Sequence, residues 1–223
     1  MLALTTILLA PAAINAQRQY SPEFYIGAHG GVTLSGMSFS PGIKQSMLPG
    51  MMLGVTARYT EENHFGLIAE LNMQQRGWAE SYDTGDFSYR RTLTYLQLPL
   101  LTHIYFGSRK IRGFVNLGPE FSYMIGSSTN ANFNYADINA VPGYPTHNRV
   151  NEQLDMEIKN RFDYGISAGA GMEWWVSPRH SVVLEGRFYY GLGNIFPSAK
   201  RDVFSASRGW SVEIMAGYTF RIK

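Results

Sequence analysis

Charged residues recur at alternate positions within otherwise apolar segments of the chain. Carboxylates and guanidiniums placed in this way can form buried ion pairs or line an ion path. Buried charges are costly unless they are paired or hydrated. We therefore interpret the set as a structural charge network, with a narrow gated ion path as the functional alternative. Its members are Arg58, Glu70, Arg76, Glu120, Asp163, Glu173, Glu185, Arg187, Glu213 and Arg221.

Two short motifs match catalytic signatures, but their context favours structural roles. Residues 165–169 (Gly-Ile-Ser-Ala-Gly) match the G-x-S-x-G nucleophile elbow, which requires a sharp turn from a strand into a helix. Here the glycines continue a period-two pattern and no helical pattern follows. Residues 83–85 (Asp-Thr-Gly) resemble an aspartic-protease triplet, but a second such motif is absent, so a polar turn is the better interpretation.

The histidines show no spacing typical of a metal site. The chain has five of them and no cysteine, which excludes disulfides, thiolate zinc sites and thiol catalysis. Small barrels can host lipid-modifying enzymes at the membrane interface, and His103, near a predicted strand end, is the only candidate for such a role. We find no partner serine for it. No catalytic residue, cofactor or metal is therefore predicted.

A long segment without period-two alternation, residues 127–160, is predicted to be a loop. Loops longer than about 12 to 15 residues are usually functional or disordered. Exposed tyrosine and asparagine side chains suit contact with carbohydrate or protein, so Phe133, Tyr135 and Tyr144 are candidate partner-contact residues. A loop without a specific ligand is the alternative.

The elements that carry these residues are strands, because the hydrophobic pattern has a period of two nearly everywhere. In 162–174, for example, Phe162, Tyr164 and Ile166 alternate with Asp163 and Gly165. Eight strands are predicted, at Phe24–Ser35, Met51–Thr60, Phe65–Arg76, Leu93–Phe106, Gly113–Ile125, Arg161–Trp175, Ser181–Tyr190 and Trp210–Lys223.

The connections between the predicted strands alternate between long and short. This alternation is typical of an outer-membrane barrel, which has tight periplasmic turns and longer external loops. Charged residues make up only 16% of the chain, and aromatic residues cluster near the predicted strand ends, as expected for interfacial girdles. The sequence therefore predicts an all-β, eight-stranded antiparallel up-and-down transmembrane β-barrel with periplasmic termini.

The N-terminal residues have the composition of a secretory signal peptide. Residues 1–16 are uncharged, with an apolar core followed by small residues. We expect three parts: a signal peptide at 1–16 that is removed on export, a periplasmic lead at 17–23 and an outer-membrane barrel domain at 24–223. The formal net charge of +2 gives no indication of a nucleic-acid partner.

Several segments resemble the PorT-like outer-membrane β-barrel proteins of the Bacteroidetes phylum. They are Phe24–Ser35, Tyr95–Leu101, Asn116–Gly126, Phe162–Trp174, the Asn-Ala-Gln at 15–17 and the terminal Gly-Tyr-Thr-Phe-Arg-Ile-Lys. The resemblance covers the mature chain and implies a barrel similar in size to OmpA-like barrels, in the outer membrane of a Gram-negative bacterium. It also implies a component of protein secretion.

From these observations we expect a non-enzymatic outer-membrane protein. It would be a structural or docking component of a secretion or surface complex that acts through its loops and rim. Outer-membrane lipid and a secretion or surface protein are the expected partners. A lipid-modifying barrel enzyme and a soluble barrel that binds a small ligand are the alternatives.

Overall fold

The fold was analysed in a computed structural model. The structure describes residues 22–62, 64–83, 86–108, 110–146 and 149–222. The predicted signal peptide at 1–16 and most of the predicted lead at 17–23 lie outside these residues. Within the described part of the chain, no helix has the length and hydrophobicity of a membrane span.

Nine strands among these residues form a single antiparallel sheet, and eight of them are long. Their bounds are β1 Glu23–Ser40, β2 Gln45–Ser46, β3 Leu48–Glu62, β4 Phe65–Glu80, β5 Tyr89–Gly107, β6 Ile111–Ala131, β7 Phe162–Ser177, β8 His180–Gly191 and β9 Ala206–Arg221. Each long strand contains most or all of one predicted strand. The two-residue β2 pairs with the C-terminal end of β4.

The eight long strands close into a ring. Around the ring the order is β1, β3, β4, β5, β6, β7, β8 and β9, and β1 pairs with β9 from Tyr25↔Arg221 to Ser40↔Ala206. Every pairing is antiparallel. Full closure leaves no open sheet edge within the membrane, where unpaired backbone groups would be costly. The predicted eight-stranded barrel is confirmed.

Apolar side chains face outward and polar side chains face the lumen. On β7, Tyr164 and Ile166 are 46% and 50% exposed, whereas Asp163 is 4% exposed and Ser167 is fully buried. The same alternation follows the other long strands. This is the reverse of a soluble barrel, whose apolar residues face inward. The alternative of a soluble ligand-binding barrel is therefore wrong.

Short and long connections lie at opposite ends of the barrel. The turns after β3, β5 and β7 lie at the end that also holds the beginning of β1 and the end of β9. The longer connections lie at the other end, which we call the outer end. There β6 continues to Ala131, beyond the predicted limit of Ile125. The long loop is therefore residues 132–161, which we call the cap loop.

Three aromatic residues near the predicted strand ends, where girdle residues are expected, lie inside the barrel instead. Trp78 is fully buried near the outer end, and Tyr105 is 6% exposed. Trp175 is half-buried beside Tyr25 at the inner end. Other girdle residues, including Phe24 and Tyr123, do face outward. All three lie at positions that continue the lumen-facing alternation of their strands, so position near a strand end is not sufficient to indicate a girdle residue.

Candidate functional site

The centre of the lumen is organised around Arg187 on β8. Its guanidinium binds both oxygens of Glu70 on β4 at 2.6 and 2.9 Å, and its Nε donates to Glu185 at 3.0 Å. The three side chains are at most 5% exposed. A bidentate guanidinium–carboxylate pair is among the strongest side-chain interactions in proteins. It links opposite walls of the barrel across its interior.

A second guanidinium, that of Arg76, lies between two tyrosine rings. Its Cζ is 4.4 Å from the ring centroid of Tyr95 and 4.2 Å from that of Tyr189. Its Nη atoms lie 3.7 Å from Glu120 and 3.6 Å from Asp163. Tyr189 also donates its hydroxyl to Asp163 at 2.8 Å. Arg76 is thus held by aromatic faces as well as by carboxylates.

The neutral side chains of Gln74 and Gln97 connect Glu213 to Glu120. Gln74 donates to Glu213 at 2.7 Å, Gln97 donates to Glu120 at 2.8 Å, and Gln97 also donates to Gln74. Ser167 donates to the other oxygen of Glu120 at 2.6 Å. Among the described residues, no cationic group lies within ion-pair distance of Glu213. Its carboxylate is held by neutral donors only.

Near the inner end of the lumen, Arg58 pairs with Glu173. The distance from Nη2 to Oε1 is 2.6 Å, and the guanidinium lies 4.3 Å from the ring centroid of Tyr25. Arg221 is separate from this buried network. It pairs with Glu23 at 2.6 Å on the inner rim, where its side chain is 31% exposed. The structure thus places nine of the ten predicted charges in the buried lumen and one at the rim.

A small cavity of 40 Å³ lies between the Arg187 and Arg58 pairs. Three of the residues that line it, His29, Arg58 and Asn116, each have a buried nitrogen without a described hydrogen-bond partner. The volume is sufficient for ordered water, which would satisfy such atoms. The described residues contain no group of three potential metal ligands, either here or elsewhere. The cavity therefore fits hydration of the charge network.

The residues considered for catalysis do not form a catalytic arrangement. His103 is 2% exposed, faces the lumen and forms a 2.7 Å hydrogen bond with the Asn116 side-chain oxygen, so its expected place at the lipid interface is wrong. Ser167 lies in mid-strand on β7 and binds Glu120. Asp83 forms an exposed ion pair with Lys44. The rest of the Asp-Thr-Gly motif, at 84 and 85, lies outside the described residues.

The outer mouth of the barrel is filled by an apolar cluster, which we call the outer plug. It combines inward side chains of the strands with side chains of the external loops. Its members are Met37, Phe39, Trp78, Tyr89, Leu93, Tyr95, Met124, Tyr144, Leu154, Ile158, Ile195, Phe196 and Phe204. Because the loops and the strands share one core, the loops are fixed to the barrel by burial of apolar surface.

The cap loop contributes three side chains to the outer plug, as many as the loop between β8 and β9. Leu154 is 1% exposed, and its carbonyl accepts a hydrogen bond from the Tyr89 hydroxyl at 2.7 Å. Arg91 donates to the Met156 carbonyl at 2.7 Å. Short 3-10 turns at Ile138–Ala140 and Glu152–Leu154 add local order. The segment predicted as a loop is therefore a folded element.

An ion pair and an aromatic cluster hold the cap loop to the end of β4. Arg149 pairs with Glu80, donates to the Ser81 carbonyl at 2.9 Å and lies 4.1 Å from the ring centroid of Tyr82. Burial raises the pKa of the Tyr82 and Tyr144 hydroxyls, which lie 3.4 Å apart. Both hydroxyls therefore remain neutral near pH 7 and can share a hydrogen bond.

The three aromatic residues predicted to contact a partner are not free on the surface. Tyr144 is 7% exposed, and Phe133 and Tyr135 are partly buried against the outer plug. Phe133 lies 5.1 Å from Tyr144 between ring centroids, and Tyr135 lies 5.8 Å from Tyr89. Tyr144 is therefore not exposed as expected, because a loop rich in aromatic residues buries them when a core is within reach. Contact of Phe133 and Tyr135 with a partner stays a prediction.

Sequence reasoning missed several residues of the site. Gln74 and Gln97 carry no charge and so were not assigned to the network, although both lie on lumen-facing positions of their strands. Glu80 and Arg149 lie outside the predicted strands. The period-two pattern could have indicated the two glutamines, but no sequence signal indicates that residues 80 and 149 meet.

Comparison with known protein families agrees with this geometry. Residues 15–197 match the family described as outer membrane protein beta-barrel domain. The chain belongs to this family. An outer-membrane barrel of this kind is surrounded by lipid, which explains its exposed apolar face. No curated protein gives a significant match.

Solved structures of other outer-membrane barrels have the same fold. Neisserial surface protein A superimposes with a TM-score of 0.50 at 13% identity, over 88% of this chain and 96% of that protein. The outer membrane protein OprG from Pseudomonas aeruginosa gives a TM-score of 0.51 at 12% identity, over 89% of this chain and 96% of that chain. At these identities the likeness shows the fold alone.

Proposed function

We propose that this outer-membrane barrel is a non-enzymatic structural or docking component of a secretion or surface complex. It would act through its outer loops and rim, in the manner implied by its resemblance to PorT-like proteins of Bacteroidetes. The observation that carries the proposal is the folded cap loop. Leu154 and Tyr144 anchor this loop in the outer plug, so the barrel presents a fixed external surface rather than a set of free loops.

The filled lumen supports a role other than transport. The Arg187–Glu70 and Arg58–Glu173 pairs cross the interior at two levels, and the outer plug closes the mouth above them. A barrel of about eight strands has room for its own side chains but not for an aqueous channel. The structural interpretation of the charge network is thus favoured over an ion path.

The arrangement of nucleophiles and bases supports a role other than catalysis. The imidazole of His103 points to Asn116 inside the barrel, where lipid has no access. The hydroxyl of Ser167 is committed to Glu120. In the described part of the chain, no serine and histidine meet at the lipid-facing surface in a hydrogen bond.

The orientation of the barrel in the outer membrane determines which of its loops a partner can reach. We infer that a signal peptide at 1–16 directs export in a Gram-negative bacterium and is removed. The long connections then face outward and the termini face the periplasm. A surface or secretion protein that meets the cap loop is the partner that fits this orientation.

Affinity isolation from crosslinked membranes tests the proposal. The cap variant would combine Asp137→Lys and Asn139→Lys, because both residues are exposed on the cap loop and outside the outer plug. A matched control, Lys110→Glu, changes an exposed charge on the inner turn between β5 and β6. We expect the cap variant to lose partners that the wild type and the control retain.

Heat-modifiable migration serves as the folding control for each variant. Folded barrels migrate differently from boiled samples, so an unchanged shift shows that the barrel is intact. Partners that persist in the cap variant and disappear in Lys110→Glu would move recognition to the periplasmic rim and contradict recognition by the cap loop.

A further inference from the structure

Several strands extend past one neighbour at the outer end, and most of these edges are occupied. On β1, the side chain of Gln45 binds both backbone groups of Met37. On β4, β2 pairs with Glu80 and Ala79. On β9, Ser207 accepts a hydrogen bond from the backbone of Ile195 at 3.0 Å. Loops and side chains thus satisfy the backbone groups of these protruding strands.

Unlike these edges, the edge of β6 that faces β7 is not occupied by any described loop or side chain. The ladder with β7 begins at Tyr123↔Phe162, and the Met124 amide donates to the Arg161 carbonyl at 2.7 Å. Beyond this point the cap loop turns away, because Asn160 binds the backbone of 194 and 195 on the next loop. The ladder of β6 with β5 nevertheless continues to Tyr89↔Ala131.

The register of the β5–β6 ladder shows which backbone groups face the open side. Ile125 is an extra residue, because Thr94 pairs with Gly126 and Tyr95 pairs with Met124. The Asn132 amide donates to the Ser88 carbonyl on the β5 side at 3.2 Å. Strand alternation then turns the amides and carbonyls of Ser127, Thr129 and Ala131 away from β5.

These backbone groups have no hydrogen-bond partner within the described ranges of the chain. The segment Ser127–Ala131 is exposed or half-buried and contains no proline and no charge. Charge, proline or a covering loop are the means by which proteins usually protect an exposed strand edge. None of the three is present between Ser127 and Ala131.

The segment is rigid enough to serve as a template. Its pairing with β5 fixes one edge, and Ala131 packs against the outer plug. Tyr135 packs against Tyr89 on the same face. The remaining edge is therefore held in strand conformation before any partner arrives.

We propose that the outer edge of β6, Ser127–Ala131, accepts an extended segment of a partner protein as an additional β-strand. The proposal rests on the docking role proposed above and names the surface and the mode of recognition. Main-chain hydrogen bonds supply the affinity in this mode, and side chains beside the edge supply the selectivity.

The charges beside the edge indicate the chemistry of the segment. Arg90 is exposed and lies opposite Asn130 in the ladder, and Arg161 is exposed where the β7 ladder ends. Neither guanidinium has a carboxylate partner among the described residues. An extended segment that carries acidic side chains fits this edge.

A second copy of the chain fits the edge less well. Two copies in one membrane would present β6 strands that run in the same outward direction, so they could pair only in parallel. Parallel pairing is slightly less stable per residue than antiparallel pairing, which a free segment can adopt.

Amide hydrogen exchange on the purified full chain in lipid nanodiscs tests the open edge itself. We expect the amides of Ser127, Thr129 and Ala131 to exchange faster than those of Ser128 and Asn130, which face β5, by a factor on the order of 100. Equal protection in the two groups would show that the edge is already covered, and would overturn the proposal.

Site-specific photocrosslinking in cells tests the mode of recognition. A photoreactive amino acid would replace exposed Ser128, in the wild-type background and with Thr129→Pro or Thr129→Ala. Proline removes one edge amide, whereas alanine keeps it, and both substitutions remove the threonine hydroxyl. Since one hydrogen bond contributes about 1 kcal/mol, we expect the yield of crosslinked partner to fall about fivefold with proline and to be retained with alanine.

Each other outcome contradicts strand addition. No crosslink to a protein, a crosslink to a second copy or to lipid only, or a yield that responds equally to both substitutions would overturn it. Failure of the docking role would look different, because then no partner would be isolated even with the wild type. If partners are isolated and depend on Asp137 and Asn139, but the yield is unaffected by Thr129→Pro, only strand addition is wrong.

Discussion

At the scale of single residues, the lumen contains charges of two kinds. Glu70 is bound by Arg187 through two hydrogen bonds, whereas the partners of Glu213 among the described residues are the neutral side chains of Gln74 and Ser211. Removal of one partner from a buried ion pair leaves an uncompensated charge, which is strongly destabilising. Removal of a carboxylate that has no cationic partner leaves no such charge. The two glutamates should therefore respond differently to the same substitution.

We expect Glu70→Gln to lower the free energy of unfolding by about 3 to 5 kcal/mol, because it leaves Arg187 without its main partner. Glu213→Gln should change it by less than about 1 kcal/mol, since the amide oxygen can still accept the hydrogen bonds from Gln74 and Ser211. Urea titration in lipid vesicles, followed by the shift between folded and unfolded migration, measures both. Equal losses would contradict the assignment of Arg187 as the centre of the network.

At the scale of elements, the sequence alone predicts the strands but not the folded conformation of the cap loop. Period-two alternation indicates β7, because Tyr164 and Ile166 face lipid while Asp163 and Ser167 face the lumen. Residues 132–161 have no such period, so their order comes from long-range contacts with β4, β5 and the outer plug. Only the three-dimensional structure reveals those contacts.

The end of β6 was missed for a related reason. Ile125 interrupts the pairing register, so the residues beyond it change face relative to those before it. The following residues, Ser127 to Ala131, are small and mostly polar, and give no hydrophobic contrast between the two faces. A strand without contrast is indistinguishable from a loop in a single sequence.

We expect Leu154→Ala to loosen the cap loop without unfolding the barrel. The substitution creates a cavity in the outer plug, and such substitutions cost about 2 to 5 kcal/mol in well-packed cores. Trypsin should then cut faster after Lys159 and Arg161, while the barrel strands remain protected. The matched control is Asn139→Ala, at an exposed position of the same loop. Unchanged cleavage in Leu154→Ala would show that this side chain does not hold the loop.

At the scale of the whole molecule, the ring of eight strands separates two faces of the membrane. The absence of cysteine from the chain allows single cysteines to report the orientation. We expect Asn139→Cys to react with an impermeant maleimide in intact cells. Lys110→Cys should react only after the outer membrane is opened. Reaction of Lys110→Cys in intact cells would reverse the orientation.

We also expect the purified chain to show no steady conductance in planar lipid bilayers. The charge network and the outer plug fill the lumen at successive levels, from Arg58 to Phe196. Stable openings of the wild type would support the gated ion path instead. The substitution Arg187→Ala, which removes the central guanidinium, provides the comparison for any current that is observed.

The pairing of β1 with β9 has a consequence for the kinetics of assembly. This ladder joins the first and the last strand of the barrel domain. It can therefore form only after the whole domain has been synthesised and the strands between them can pair. Contacts of such large sequence separation are slow to form. Until they form, β1 and β9 expose two long unpaired edges within or near lipid, where unsatisfied backbone groups are costly. The rate of biogenesis should therefore depend on whatever shields these two edges until the ring closes.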